Sequence, residues 1–132
     1  MRENIIDQRL VGKAIKIFVL GYEDPIEGVI DEISKYEIGM SVSNKPCIVF
    51  RHAILYALLS ETELHGYSQE ELEDTVLTPD LIGSEMEIYL INGRKIEGRL
   101  MKLSRYEIGI LSKGKGVVVP KSNISFIVIL KK

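Results

Sequence analysis

The chain has 132 residues, 45% hydrophobic and 27% charged with both signs interspersed, which excludes a disordered or low-complexity protein. Its formal net charge of −2 excludes nucleic-acid recognition by global charge alone, and its single cysteine excludes an intrachain disulfide. The apolar run 126–130 is far shorter than the ~20 residues of a membrane span, and no basic-then-apolar leader precedes residue 10, so a cytoplasmic protein without membrane contact is expected.

Residues 4–10 read as a short helix, and the chain then states one pattern twice. Ile33-Ser34-Lys35-Tyr36-Glu37-Ile38-Gly39-Met40 returns 70 positions later as Leu103-Ser104-Arg105-Tyr106-Glu107-Ile108-Gly109-Ile110. Ile26-Glu27-Gly28 returns as Ile96-Glu97-Gly98, and Arg51-His52-Ala53-Ile54 aligns with Lys121-Ser122-Asn123-Ile124 at the same offset. Val11-Gly12 matches Ile82-Gly83 at an offset of 71, so the first copy carries one extra residue, in a loop near Tyr22 to Pro25. Two tandem units of roughly 50 residues follow, each near the lower size limit for an independent core. The first occupies 1–58, an acidic connector 59–79, and the second 80–132.

Cys47 lies in the apolar run 47–50 and reads as a buried small hydrophobe. In the connector, Ser68-Gln69-Glu70-Glu71 forms a capping box, with Leu72, Val76 and Leu77 on one side, which predicts a helix over 69–77. The second copy shows five strand patterns, over 86–90, 95–103, 106–111, 117–119 and 124–130, with Asn92-Gly93 as a tight-turn signal. Gly28 and Gly98 fall mid-strand, where glycine marks a sharp bend or another backbone close by. Lys113 and Lys115 belong to a solvated hairpin loop. The predicted fold is mostly β: two five-stranded, strongly bent small barrels, each preceded by a short helix.

Charge is unevenly spread. Residues 1–57 carry −1, residues 58–79 carry −6 with no Lys or Arg, and residues 80–132 carry +5, so the second copy offers an anion-binding surface. His52 and His65 are far apart, and no nucleophile, phosphate-cradling loop or ligand cluster accompanies either. Neither an enzyme, a metal nor a cofactor is expected.

A hydrophobic strand, Asn92-Gly93-Arg94-Lys95-Ile96-Glu97-Gly98, an aromatic at the entry to the third strand and a basic residue opening the last strand together resemble the Sm-like superfamily. Phe50-Arg51-His52-Ala53-Ile54 is similar to the aromatic–basic–His–Ala–Ile signature of the Hfq-like RNA chaperones. The second copy departs from it, with Pro120 and Ser122 in place of Phe50 and His52. The resemblance implies Sm-like barrels in a ring where a fourth strand pairs with a neighbour's fifth. Three chains would then form a pseudo-hexamer. It also implies binding of single-stranded, U-rich RNA around the pore, by base stacking on the tyrosine and by basic and histidine contacts. The matching residues are Lys35, Tyr36, Arg51 and His52 in the first copy, and Arg105, Tyr106 and Lys121 in the second. A second RNA-binding face would use Phe18 and Tyr89. The rival expectation is an Sm-like ring serving as a scaffold or protein-interaction module without RNA.

Overall fold

The computed structural model describes residues 4–60 and 73–132, in which the apolar runs become ten strands. These are β1 (Ala14–Val19), β2 (Ile26–Ile33), β3 (Glu37–Val42), β4 (Lys45–Phe50) and β5 (Ile54–Leu58), then β6 (Glu85–Leu90), β7 (Lys95–Leu103), β8 (Glu107–Ser112), β9 (Lys115–Pro120) and β10 (Ile124–Lys131). Every pairing between them is antiparallel, and their order in space is β5-β1-β2-β3-β4-β10-β6-β7-β8-β9. The second half of that order repeats the first, strand for strand.

Both copies bend their second strand by the same means. The β2–β3 register slips between Ile30 and Glu32, and the β7–β8 register slips at the equivalent place, between Leu100 and Lys102. Bulges of this kind sharpen twist and turn a strand out of plane. The mid-strand glycines answer to close approach. A β-carbon on Gly28 would fall on the Ser41 carbonyl oxygen, and one on Gly98 would come 2.5 Å from that of Leu111.

The expectation of two separate five-stranded barrels, each preceded by a helix, is overturned. The chain forms one open ten-stranded sheet. The cause lies in β4, which is apolar on both faces. Cys47 and Val49 enter the core of the first copy, while Ile48 and Phe50 enter that of the second. A strand like that is unstable as a free edge, and it pairs with β10 through Val49↔Phe126, Ile48↔Ile127 and Cys47↔Val128. Phe126 returns the exchange by packing into the first core.

The expected helices are also absent among the described residues. Over 4–10 the chain makes only a 3-10 turn, Gln8–Leu10, capped by the Asp7 carboxylate accepting from the Arg9 amide at 3.1 Å. Of the expected 69–77 helix, residues 69–72 lie outside the described residues, and 73–77 are not helical. Glu73 instead bridges in parallel to Ser34, and the amides of Val76 and Leu77 bond to the Glu37 carboxylate. Pro79 follows at once and holds Thr78 extended (φ −114°, ψ 166°), which closes off helix growth from that side.

The loop that carries the extra residue lies on the junction between the copies. Gly21 (φ +80°) sits where a β-carbon would meet the Leu90 and Ile91 carbonyl oxygens at 2.7 Å. Beside it Tyr22 packs edge-on against Tyr89 and Phe126, at centroid distances of 5.6 and 5.1 Å. The Ser125 hydroxyl donates to the Leu20 carbonyl across the same seam.

The sheet ends on β5 and β9, and burial registers what the inner strands have and the outer ones lack. Phe126 on β10 is 3% exposed, whereas its counterpart Tyr56 on β5 is 54% exposed. Ile48 on β4 is 3% exposed, and its counterpart Val118 on β9 is 65% exposed.

Candidate nucleic-acid interface

Each copy turns from its second strand into its third through a Ser-basic-Tyr-Glu sequence, and the serine fixes the turn. Ser34 Oγ donates to the Glu37 carbonyl and accepts from the Glu37 amide, both at 2.9 Å. Ser104 makes the same pair with Glu107, at 3.2 and 3.1 Å. The side chains between them are thereby pushed into solvent, leaving Tyr36 63% and Tyr106 70% exposed.

The start of the fifth-strand motif is brought to this turn in both copies. The Arg51 amide donates to the Tyr36 carbonyl at 2.9 Å, and the Lys121 amide to that of Tyr106 at 2.8 Å. Lys35 and Tyr36 thus neighbour Arg51, and Arg105 and Tyr106 neighbour Lys121. The Arg105 guanidinium lies 5.4 Å from the Tyr106 ring centre, within range of a cation–π attraction. Lys35 instead forms an exposed ion pair with Asp74 at 3.5 Å. Such surface pairs are worth about 0–1 kcal/mol, so a phosphate could displace Asp74.

Arg51 and His52 are held more tightly than a ligand-facing pair. Arg51 donates from Nε and Nη2 to the Ser34 carbonyl at 3.1 and 2.9 Å, and from Nη2 to the Ile6 carbonyl at 2.8 Å. Burial pushes its pKa down, with the charge of Asp7 opposing. His52 Nε2 lies 2.8 Å from the Ile124 carbonyl, which only an N–H can satisfy, so the ring ties the first copy to β10 of the second. The second copy puts Ser122 at this position.

The aromatics expected on a second face are stacked internally. Phe18 lies on Tyr56 at 4.5 Å, and Tyr89 lies on Phe126 at 4.3 Å and 5°. These are the same contact in the two copies. Burial and the neighbouring Glu87 carboxylate, which accepts from the Tyr89 hydroxyl at 3.1 Å, push that phenol up to about 12.

No family model and no curated protein matches this chain.

Among the described residues no group of three His, Cys, Asp or Glu side chains could hold a metal, and His65 lies outside them. Cys47 is buried, and desolvation pushes its thiol up to about 12. No described helix is long and apolar enough to cross a membrane.

Sequence reasoning missed Glu37. Its carboxylate is buried and one oxygen, Oε1, accepts from Thr75 Oγ1 at 2.6 Å and from the Val76 and Leu77 amides at 2.7 Å. The Lys35 and Tyr36 amides meanwhile donate to the Glu73 and Asp74 carbonyls at 2.7 and 3.2 Å. The connector's end is therefore laced onto the first tyrosine turn. The available signal was a glutamate opening an otherwise apolar strand in both copies.

Proposed function

We propose that the chain binds single-stranded, U-rich RNA in a ring of three copies, as its resemblance to the Hfq-like chaperones implies. The observation that carries this reading is the pair of exposed tyrosines at equivalent turns, each preceded by a basic residue and adjoined by another. An exposed aromatic can stack an unpaired base for roughly 1–3 kcal/mol, and lysine and arginine neutralise the phosphates between stacked bases. Tyr106 is the stronger platform, with Arg105 at its ring, Lys121 alongside and the +5 charge of residues 80–132 around it. The ring reading is supported by two outer strands whose counterparts pair inside the chain. A cytoplasmic setting suits a lone cysteine kept as a buried thiol.

A specific observation favours the rival reading, a scaffold or protein-interaction ring. Arg51 turns Nε and Nη2 to the Ser34 and Ile6 carbonyls and His52 turns Nε2 to the Ile124 carbonyl, so two of the four pocket residues in the first copy also serve the fold. Titration with fluorescent oligo-U, oligo-A and an RNA duplex at two salt concentrations separates the readings. RNA binding requires single strands to bind more tightly than duplex, with affinity lost in the Tyr36→Ala, Tyr106→Ala double variant. Equal binding of all three, or an unaffected double variant, would leave the scaffold.

A further inference from the structure

The junction between the two copies is a template for a second junction that one chain cannot make. In it, the fourth strand of one copy pairs with the fifth strand of the next, and the residues preceding that next copy run into the first copy's tyrosine turn. There Glu37 takes the Thr75 hydroxyl and the Val76 and Leu77 amides. Val76 lies over Gly39, so close that a β-carbon on this glycine would be 3.2 Å from Val76 Cγ1.

The second copy holds the same parts, with no described segment seated on them as 73–77 are on the first. Glu107 is exposed, and its carboxylate has no partner among the described residues. The three atoms nearest to a β-carbon on Gly109 all belong to Lys102 of its own sheet, where on Gly39 the nearest is Val76 Cγ1. At the offset of 71 that relates the two leading segments, Thr75, Val76 and Leu77 correspond to Asn4, Ile5 and Ile6. The correspondence is structural too: the 3-10 turns Gln8–Leu10 and Pro79–Leu81 are related by the same offset, and Ile6 packs on the first core while Leu77 is buried in the second. Ile5 is left exposed and, among the described residues, belongs to neither core.

We infer that Glu107 and Gly109 form a cradle for Asn4, Ile5 and Ile6 of a second copy of this chain. The Glu107 carboxylate accepts from the Asn4 side-chain amide and the Ile5 and Ile6 backbone amides, and Ile5 closes over Gly109. The outer strands pair alongside, with the internal register carried over as Val119↔Tyr56, Val118↔Ala57 and Val117↔Leu58. The contact is heterologous, so the chains join head to tail. It rests on the self-assembly reading above and adds the residues that select the partner's leading segment.

The test combines light scattering with disulfide trapping. Glu107→Ala and Ile5→Glu should each raise the concentration at which the assembly dissociates about tenfold or more, from the loss of hydrogen bonds to a charged acceptor or of the seat on Gly109. Both positions are exposed, and circular dichroism checks that the variants fold. Under mild oxidation the Ile5→Cys, Gly109→Cys double variant should give intermolecular cross-links that neither single variant gives, since Cys47 is buried. A wild type that assembles with unchanged midpoints and no trapping would overturn the cradle while leaving the ring intact. A wild type that stays monomeric would overturn both.

Discussion

Replacing Glu37 with alanine removes three short hydrogen bonds to one buried carboxylate oxygen and leaves the end of the connector held by the Lys35 and Tyr36 amides. Bonds to charged groups contribute about 1.5–3 kcal/mol each but are not additive, so a loss of roughly 3 kcal/mol in unfolding free energy is expected. Glu107→Ala should cost under about 0.5 kcal/mol in the dissociated chain, because no described residue bonds its carboxylate and the bonds to Ser104 are made by its backbone. Urea titration of both variants checks the contrast, and equal losses would contradict it. Arg51→Ala belongs with the first class, because its donors hold the Ser34 and Ile6 carbonyls. It should lower stability, whereas Tyr106→Ala should leave stability intact and weaken oligo-U by about 1–3 kcal/mol, read by fluorescence titration. Cys47 gives a pH dependence of definite sign. Its folded pKa, pushed up to about 12, lies above its ordinary 9.0, so the fold favours the protonated thiol. That stability is full below pH 9 and is lost between about 9 and 12, at up to about 1.4 kcal/mol per pH unit. Native protein should also resist thiol reagents at pH 8 and react once unfolded. Rapid native labelling would count against the buried site.

Much of the strand content was legible because period-two alternation and turn chemistry are local. Asn92-Gly93 forms its turn, with Gly93 at φ +92° and the Asn92 side chain accepting from the Arg94 amide at 3.0 Å. The extra residue between Gly12 and Gly28 does sit in a loop, and that loop packs on the other copy. The described part of the connector was misread because a capping box and an apolar side are also local, while the competing acceptor, Glu37, lies 38–40 residues away in sequence. The tyrosine turns were legible from the repeat. The fixed states of Arg51 and His52 were not, since their acceptors are backbone carbonyls that the sequence does not distinguish. At the level of elements, Gly21→Ala should destabilise by about 1–3 kcal/mol, from a left-handed backbone and two carbonyl oxygens at 2.7 Å, while Gly12→Ala bears only the backbone strain. Thermal denaturation of the pair measures the difference, and equal losses would remove the seam contact from the account.

As a whole molecule, the chain is one sheet with two unlike ends, and the seam in its middle shows how those ends would meet. Val118 and Tyr56 face solvent where Ile48 and Phe126 are covered, so the apolar surface left open at the two ends is complementary in position and register. Val118→Lys would put a charge on the β9 edge without touching either core, and should therefore separate assembly from folding. If RNA threads a ring of tyrosine turns, affinity should fall with salt by about 0.7 log units per log unit of salt for each phosphate contacted, and the monomeric variant should lose both affinity and slope. All of this depends on the chains joining end to end. The most direct measurement is the solution mass of the wild type beside Val118→Lys across the micromolar range. Three chains of 14.9 kDa for the wild type and one for the variant is the predicted result, and a wild type that remains at 14.9 kDa would contradict it.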